Sequence, residues 1–134
     1  MIATNRYQSS RLLLCRVSAE SADMSIDTDT NKLYLGAYSE RVDKVHEIPA
    51  WSLTRLLELI PQHRIAPHGK TPCDLYIRHC PAYWLVMYND GKTGGDDEDY
   101  MWQCTSEQRA ETLIEACVKM IEWLMNCGYK LNEI

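Results

Sequence analysis

Histidine and cysteine crowd one stretch of this chain: His63, His68, Cys73, His79 and Cys80. Imidazole and thiolate are the usual zinc ligands. Structural zinc sites, however, pair them about two to four residues apart. If residues 73–79 form a strand, Cys73 and His79 share a face but lie about 20 Å apart at about 3.3 Å per residue. One ion cannot bridge that gap. A fold-back of the 62–72 loop would still bring His63 or His68 near Cys80, so these three are the metal-ligating candidates. Thiol catalysis needs a cysteine with an imidazole base and a group that orients it. Cys80 or Cys104 with His46 supplies the residue types, but no strained nucleophile turn surrounds either cysteine.

The loop after residue 89 offers two further motifs. Gly91-Lys92-Thr93 is the tail of a phosphate-binding loop. The full pattern needs a glycine five residues before the Gly-Lys pair, where Val86 stands, and a helix afterwards. Gly94-Gly95-Asp96-Asp97-Glu98-Asp99 follows instead, and its carboxylates repel a triphosphate. As a calcium loop beginning at Asp90 it also fails: Lys92 falls at position three and Met101 at position twelve, where acidic ligands belong. The simplest reading is a charged loop that keeps a strand edge soluble. The sequence therefore leans away from an enzyme, and no cofactor is expected.

Two tryptophans are the remaining pointers. At about 100° per residue, Trp51 lies about 160° from Leu53 on a helix read over residues 49–60. Trp123 groups with Thr112, Ala116 and Lys119. That is about 120° or more from the stripe centred on Cys117 and Ile121. A large aromatic off the core face is either wrapped by neighbouring segments or offered to a partner. Residues 5–24 and the 62–72 loop are the segments that would wrap them. Trp51 and Trp123 are accordingly the candidate interaction residues.

The elements that position these residues follow from caps and periodicity. Asn5 with Gln8 makes a capping box for a helix over residues 5–15, with Leu12, Leu13 and Cys15 as apolar contacts. Ser18 caps a short helical turn through Ala22-Asp23-Met24, and residues 27–31 are turn chemistry. Short strands are expected at residues 32–36 and 42–46. Pro49 suits the first helical position and Pro61 the stop. Leu53, Leu56, Leu57 and Ile60 then face the core. Residues 74–79, 83–88 and 100–103 read as an antiparallel meander. A long helix closes the chain over residues 105–127, capped by Thr105 with Gln108. Gly128 stops it, and Tyr129 closes back on Leu124.

The bulk properties agree with a single α+β domain over residues 1–134. The meander has three or more strands and packs against two or three helices, the last one long. A net charge of −5 argues against a phosphate-backbone binder, which needs a basic face. No apolar run approaches a membrane span. The start of the chain lacks a signal-peptide pattern, so the six cysteines read as reduced thiols in the cytoplasm. All twelve aromatics are tyrosine or tryptophan, the ring types favoured at interfaces.

Gln8-Ser9-Ser10-Arg11-Leu12-Leu13, Ala22-Asp23-Met24, Ile48-Pro49-Ala50-Trp51-Ser52-Leu53 and Ala116 to Leu124 resemble segments of small proteins from gut Bacteroidetes, their phages and integrated mobile elements. The resemblance implies a bacterial or phage cytosolic origin and assigns no catalytic residue. The expectation is a small accessory protein, not an enzyme, acting on a protein partner or on itself as a homodimer. Neither nucleic acid nor membrane is expected as a partner. Two alternatives stay open: a metal-dependent or thiol enzyme built on residues 63–80, and an acidic inhibitor or mimic of nucleic-acid binding built on Asp96 to Asp99.

Overall fold

In a computed structural model, residues 3–41, 45–65, 72–89 and 107–134 are described. The first helix, α1 (Arg6–Leu14), starts as its sequence dictates. Asn5 accepts the Gln8 backbone N–H, and the Gln8 side chain accepts the Asn5 N–H in return. Ser18 caps a short 3-10 turn over Ala19–Ser21. Strands β1 (Met24–Asp27), β2 (Leu33–Leu35) and β3 (Glu47–Ala50) form an antiparallel sheet in the order β2-β1-β3. Met24, Ile26 and Ala50 make a small separate core on this sheet.

β3 corrects the expected helix start. Pro49 lies in an edge strand, where a missing N–H costs little, and not at the first helical position. Helix α2 (Leu53–Leu59) begins later, with Ser52 as its cap: the Ser52 hydroxyl accepts the Arg55 N–H. The anticipated strand at residues 42–46 falls partly outside the described residues, and the strand itself begins at Glu47.

The second sheet is the expected meander, with four strands in sequential order: β4 (His63–Ile65), β5 (Pro72–His79), β6 (Trp84–Asn89) and β7 (Gln108–Ala110). The register pairs Ile77 with Val86 and Val86 with Gln108. Strand β7 occupies residues read as the first turn of the last helix. That helix, α3 (Leu113–Asn126), starts at Thr112, whose hydroxyl accepts the Glu115 N–H. The expected strand at 100–103 lies outside the described residues. Among the described residues, no helix is long and apolar enough to cross a membrane.

α3 is the centre of the fold, in contact with β6, β7, α1 and α2. Its buried residues are Ile114, Ala116, Cys117, Val118, Met120, Ile121 and Leu124. They span about 200° of its circumference at about 100° per residue. An amphipathic stripe is narrower because it meets one neighbour; α3 is clamped from two sides. Burial pushes the Cys117 thiol up to about 12, so it stays protonated as an apolar filler. Arg11 of α1 spans Glu115 and Glu122 of α3 and locks the two helices together. The bond to Glu122 and the bond to Glu115 hold its guanidinium above its ordinary value, against partial desolvation.

Candidate functional site

The fold covers one of the two candidate tryptophans fully and the other in part. Trp51 is 0% exposed, so it presents nothing to a partner. It follows a strand and precedes the α2 cap, so the angular argument that set it off a helical stripe does not apply. Thr4 and Ser21 hold it from the N-terminal segment. Its backbone N–H donates to Thr4 Oγ1 at 3.0 Å, its carbonyl accepts the Thr4 N–H at 2.9 Å, and its indole N–H donates to Ser21 Oγ at 2.9 Å. Trp123 is half-buried at the edge of the α3 contact arc and stacks on Tyr129, with ring centroids 5.5 Å apart. The wrapping alternative therefore describes Trp51, held by Ser21 of the expected N-terminal segment, whereas Trp123 is covered in part by Tyr129, which belongs to neither expected segment.

The meander separates the two described metal candidates, His63 and Cys80. His63 pairs with Asp74 across β4 and β5, with Nδ1 and Oδ1 2.6 Å apart, and both side chains are exposed. Cys80 sits six residues further on, at the β5–β6 turn, which is about 20 Å along the strand. His68 lies outside the described residues, as do Cys104 and the whole 91–99 loop with its Gly-Lys-Thr and acidic runs. Cys73 is fully buried, and His79 stacks on Trp84 at 4.3 Å. His46 lies beside Asp29 near the other sheet. Among the described residues no three histidine, cysteine or acidic side chains come together as a metal site.

What the fold does assemble is a groove that no local pattern announced. It has a volume of about 620 Å³ and two walls. One wall is the chain leaving α1, Arg16 to Ser21; the other is the chain leaving α3, Tyr129 to Ile134. Leu59 and Met125 line it from α2 and α3.

Both walls are aimed by the same device. After α1, the Val17 N–H bonds Leu12 O at 3.0 Å; after α3, the Tyr129 N–H bonds Leu124 O at 2.9 Å. These are six-to-one closures that turn the chain through a residue in the left-handed region. That residue is Gly128 after α3, at φ +81°, and Arg16 after α1, at φ +72°. Glycine is at home there; a residue with a Cβ is strained by about 1 kcal/mol.

Each wall is then pinned. Trp51 holds Ser21, whose hydroxyl also donates to Ser18 O at 2.6 Å. On the other wall, the Asn132 backbone N–H donates to Leu59 O, and its side-chain amide donates to Glu58 O and Ile60 O. These bonds fill carbonyls that the end of α2 leaves open.

The groove offers binding groups and no reactive ones. Among the described residues, neither histidine nor cysteine lines it. Its two serines are engaged, Ser18 by the Glu20 N–H and Ser21 as above. Four charges line it: Arg16 and Glu20 on one wall, Lys130 and Glu133 on the other. All four side chains are exposed, and none forms an ion pair or side-chain hydrogen bond among the described residues. Such a surface can take an apolar side chain against Leu59 and Met125 and fix charged groups at its rims. No protein-family model, curated protein or solved structure matches the chain.

Proposed function

We propose that this protein is a non-enzymatic accessory protein that works through protein contacts, with the groove between the two helix ends as its contact surface. Its occupant is a polypeptide that carries an apolar residue flanked by charges of both signs. The observation that carries this reading is Arg16. A left-handed helix end selects for glycine, and the chain uses glycine for that purpose at residue 128. An arginine in the equivalent place after α1 costs stability and sets a guanidinium beside the groove without a partner among the described residues.

The four lining charges sum to zero. The groove presents no basic face to a nucleic-acid backbone, whose binding rests on neutralising phosphates. The reading needs no cofactor. The resemblance supports reading it as a cytoplasmic accessory of a mobile element.

The test is an affinity capture from the source organism with wild-type chain and Arg16→Gly, both checked for folding by circular dichroism. The expected result is a specific captured protein, this chain included, that the variant retains at least about tenfold less, the fold-change for loss of about 1.4 kcal/mol. Identical capture by both proteins rejects the groove.

A further inference from the structure

We infer that the occupant of the groove is a second copy of this chain, docked across a two-fold axis. This deepens the reading of the groove as a contact surface and rests on it. A two-fold interface is self-complementary: residue i meets j, and j meets i. The wall after α1 has that property. Arg16 and Glu20 stand four residues apart, opposite in sign, exposed and unpaired among the described residues. An axis passing at Ser18 lays two copies of this segment antiparallel. Arg16 then faces the partner's Glu20, and the partner's Arg16 faces Glu20.

The apolar component comes from the same stretch. Leu14 is 84% exposed and Leu13 is 37% exposed, at the end of α1 immediately before this wall. In the antiparallel register Leu14 lies beyond the Arg16–Glu20 pair and adds exposed apolar surface at the end of the paired segments. Tyr7, 71% exposed and one heptad before Leu14, extends the apolar surface along α1. A purely anionic ligand would meet Arg16 and Lys130 but be repelled by Glu20 and Glu133. A purely cationic one would meet the reverse. A second copy supplies both signs at the spacing already present, so charge complementarity favours it.

Sedimentation equilibrium of the full chain, from low micromolar to near-millimolar concentration, reads the assembly. The expected result is a monomer–dimer equilibrium. Leu14→Glu should weaken it by about 30-fold, as for a central interface residue. Arg16→Glu should weaken it about tenfold by setting like charges together. The double variant Arg16→Glu, Glu20→Arg should recover it to within about threefold, since the swapped pair is again complementary. These side chains are exposed, and circular dichroism checks that each variant is folded.

A chain monomeric throughout overturns the second copy. So does a dimer indifferent to Leu14→Glu and Arg16→Glu, or a double variant as weak as the single one. A monomer that still captures a different protein in an Arg16-dependent way overturns the second copy alone. A monomer whose capture is independent of Arg16 overturns the groove as well.

Discussion

Helices α1 and α3 end with the same backbone manoeuvre and opposite choices of residue. Each closes with a six-to-one hydrogen bond and a left-handed residue, and each sends the following chain along one side of the same groove. At α3 the residue is Gly128, and a Cβ built there would meet nothing within 4 Å. Its role is conformational and nothing else. At α1 the residue is Arg16, whose side chain lines the groove. The difference separates a turn kept for folding from a turn kept for what its side chain reaches. Stability and contact should therefore respond in opposite directions at the two ends.

The largest effect tests what anchors the α1 wall. Trp51→Ala removes the indole that holds Ser21 and empties the middle of the main core. The expected loss is about 3–5 kcal/mol in denaturant unfolding. Amide exchange should speed up across residues 16–21 more than across 129–134, because Asn132 pins the second wall independently. Equal loss of protection on both walls would show that they are one unit, and the comparison of two separately anchored ends would fail.

Next comes the glycine. Gly128→Ala should cost about 1 kcal/mol. With no neighbour to clash, the whole penalty is backbone strain. The measurement is the unfolding free energy of the variant. A neutral result would mean that the turn relaxes out of the left-handed region without harm, and the same would then be expected at Arg16.

Arg16→Gly should go the other way. Relief of the left-handed strain stabilises the chain by up to about 1 kcal/mol, reduced by the freedom glycine adds to the unfolded state. The contact made through the groove should weaken in the same variant. A gain in stability with a loss of binding is the pattern expected of a residue retained for function. A variant both less stable and unaltered in binding would make Arg16 a structural residue like any other.

Where the sequence signals were local, they identified the elements correctly. The Asn5–Gln8 box, the core positions Leu56 and Ile60, the β5–β6 hairpin and the Gly128 stop all rest on residues within one turn of each other. The misreadings came from competing local signals. Pro49 suits a helix start, but Ser52 three residues later also caps one, and the strand before it tolerates proline at a sheet edge. Thr105 with Gln108 resembles a box, yet the helix begins from Thr112 with Glu115, leaving Gln108 to pair with Val86.

For Trp123 the angular reading is incomplete for a different reason. The angular argument assumes one buried stripe, while α3 is packed over more than half its circumference. The groove left no local trace because it joins residues 16–21, 59, 125 and 129–134. Its one sequence sign was an arginine where a helix end wants glycine, and that sign becomes visible only once φ is known.

The left-handed region recurs at a third described non-helical site, and it gives the smallest effect. Asn31 has φ +61° in the turn between β1 and β2. Asparagine tolerates this conformation better than arginine, and the turn around it is internally bonded. Asp27 Oδ1 accepts the N–H groups of Asp29 at 2.8 Å and Thr30 at 3.0 Å, and Asp27 O accepts the Asn31 N–H at 2.8 Å. The Thr30 and Asp29 backbone bonds hold the Asp27 carboxyl below its ordinary value of 3.8.

A carboxylate whose folded pKa is depressed adds stability above the unfolded pKa and loses it as pH falls through the folded one. The Asp27 contribution should thus be intact at neutral pH and decline only below about pH 4. An NMR titration of the Asp27 side-chain carboxyl should show a midpoint below 3.8, with the amides of Asp29 and Thr30 moving in step. Asp27→Ala should flatten that part of the acid dependence without changing the groove contact. If the Asp29 and Thr30 amides titrate at the ordinary carboxyl value, the turn is not held by Asp27. Asn31 would then hold its left-handed backbone through main-chain bonds alone, as Arg16 does through the bonds to Leu12 O and Leu13 O. The contrast on which the function of Arg16 rests would be correspondingly weaker.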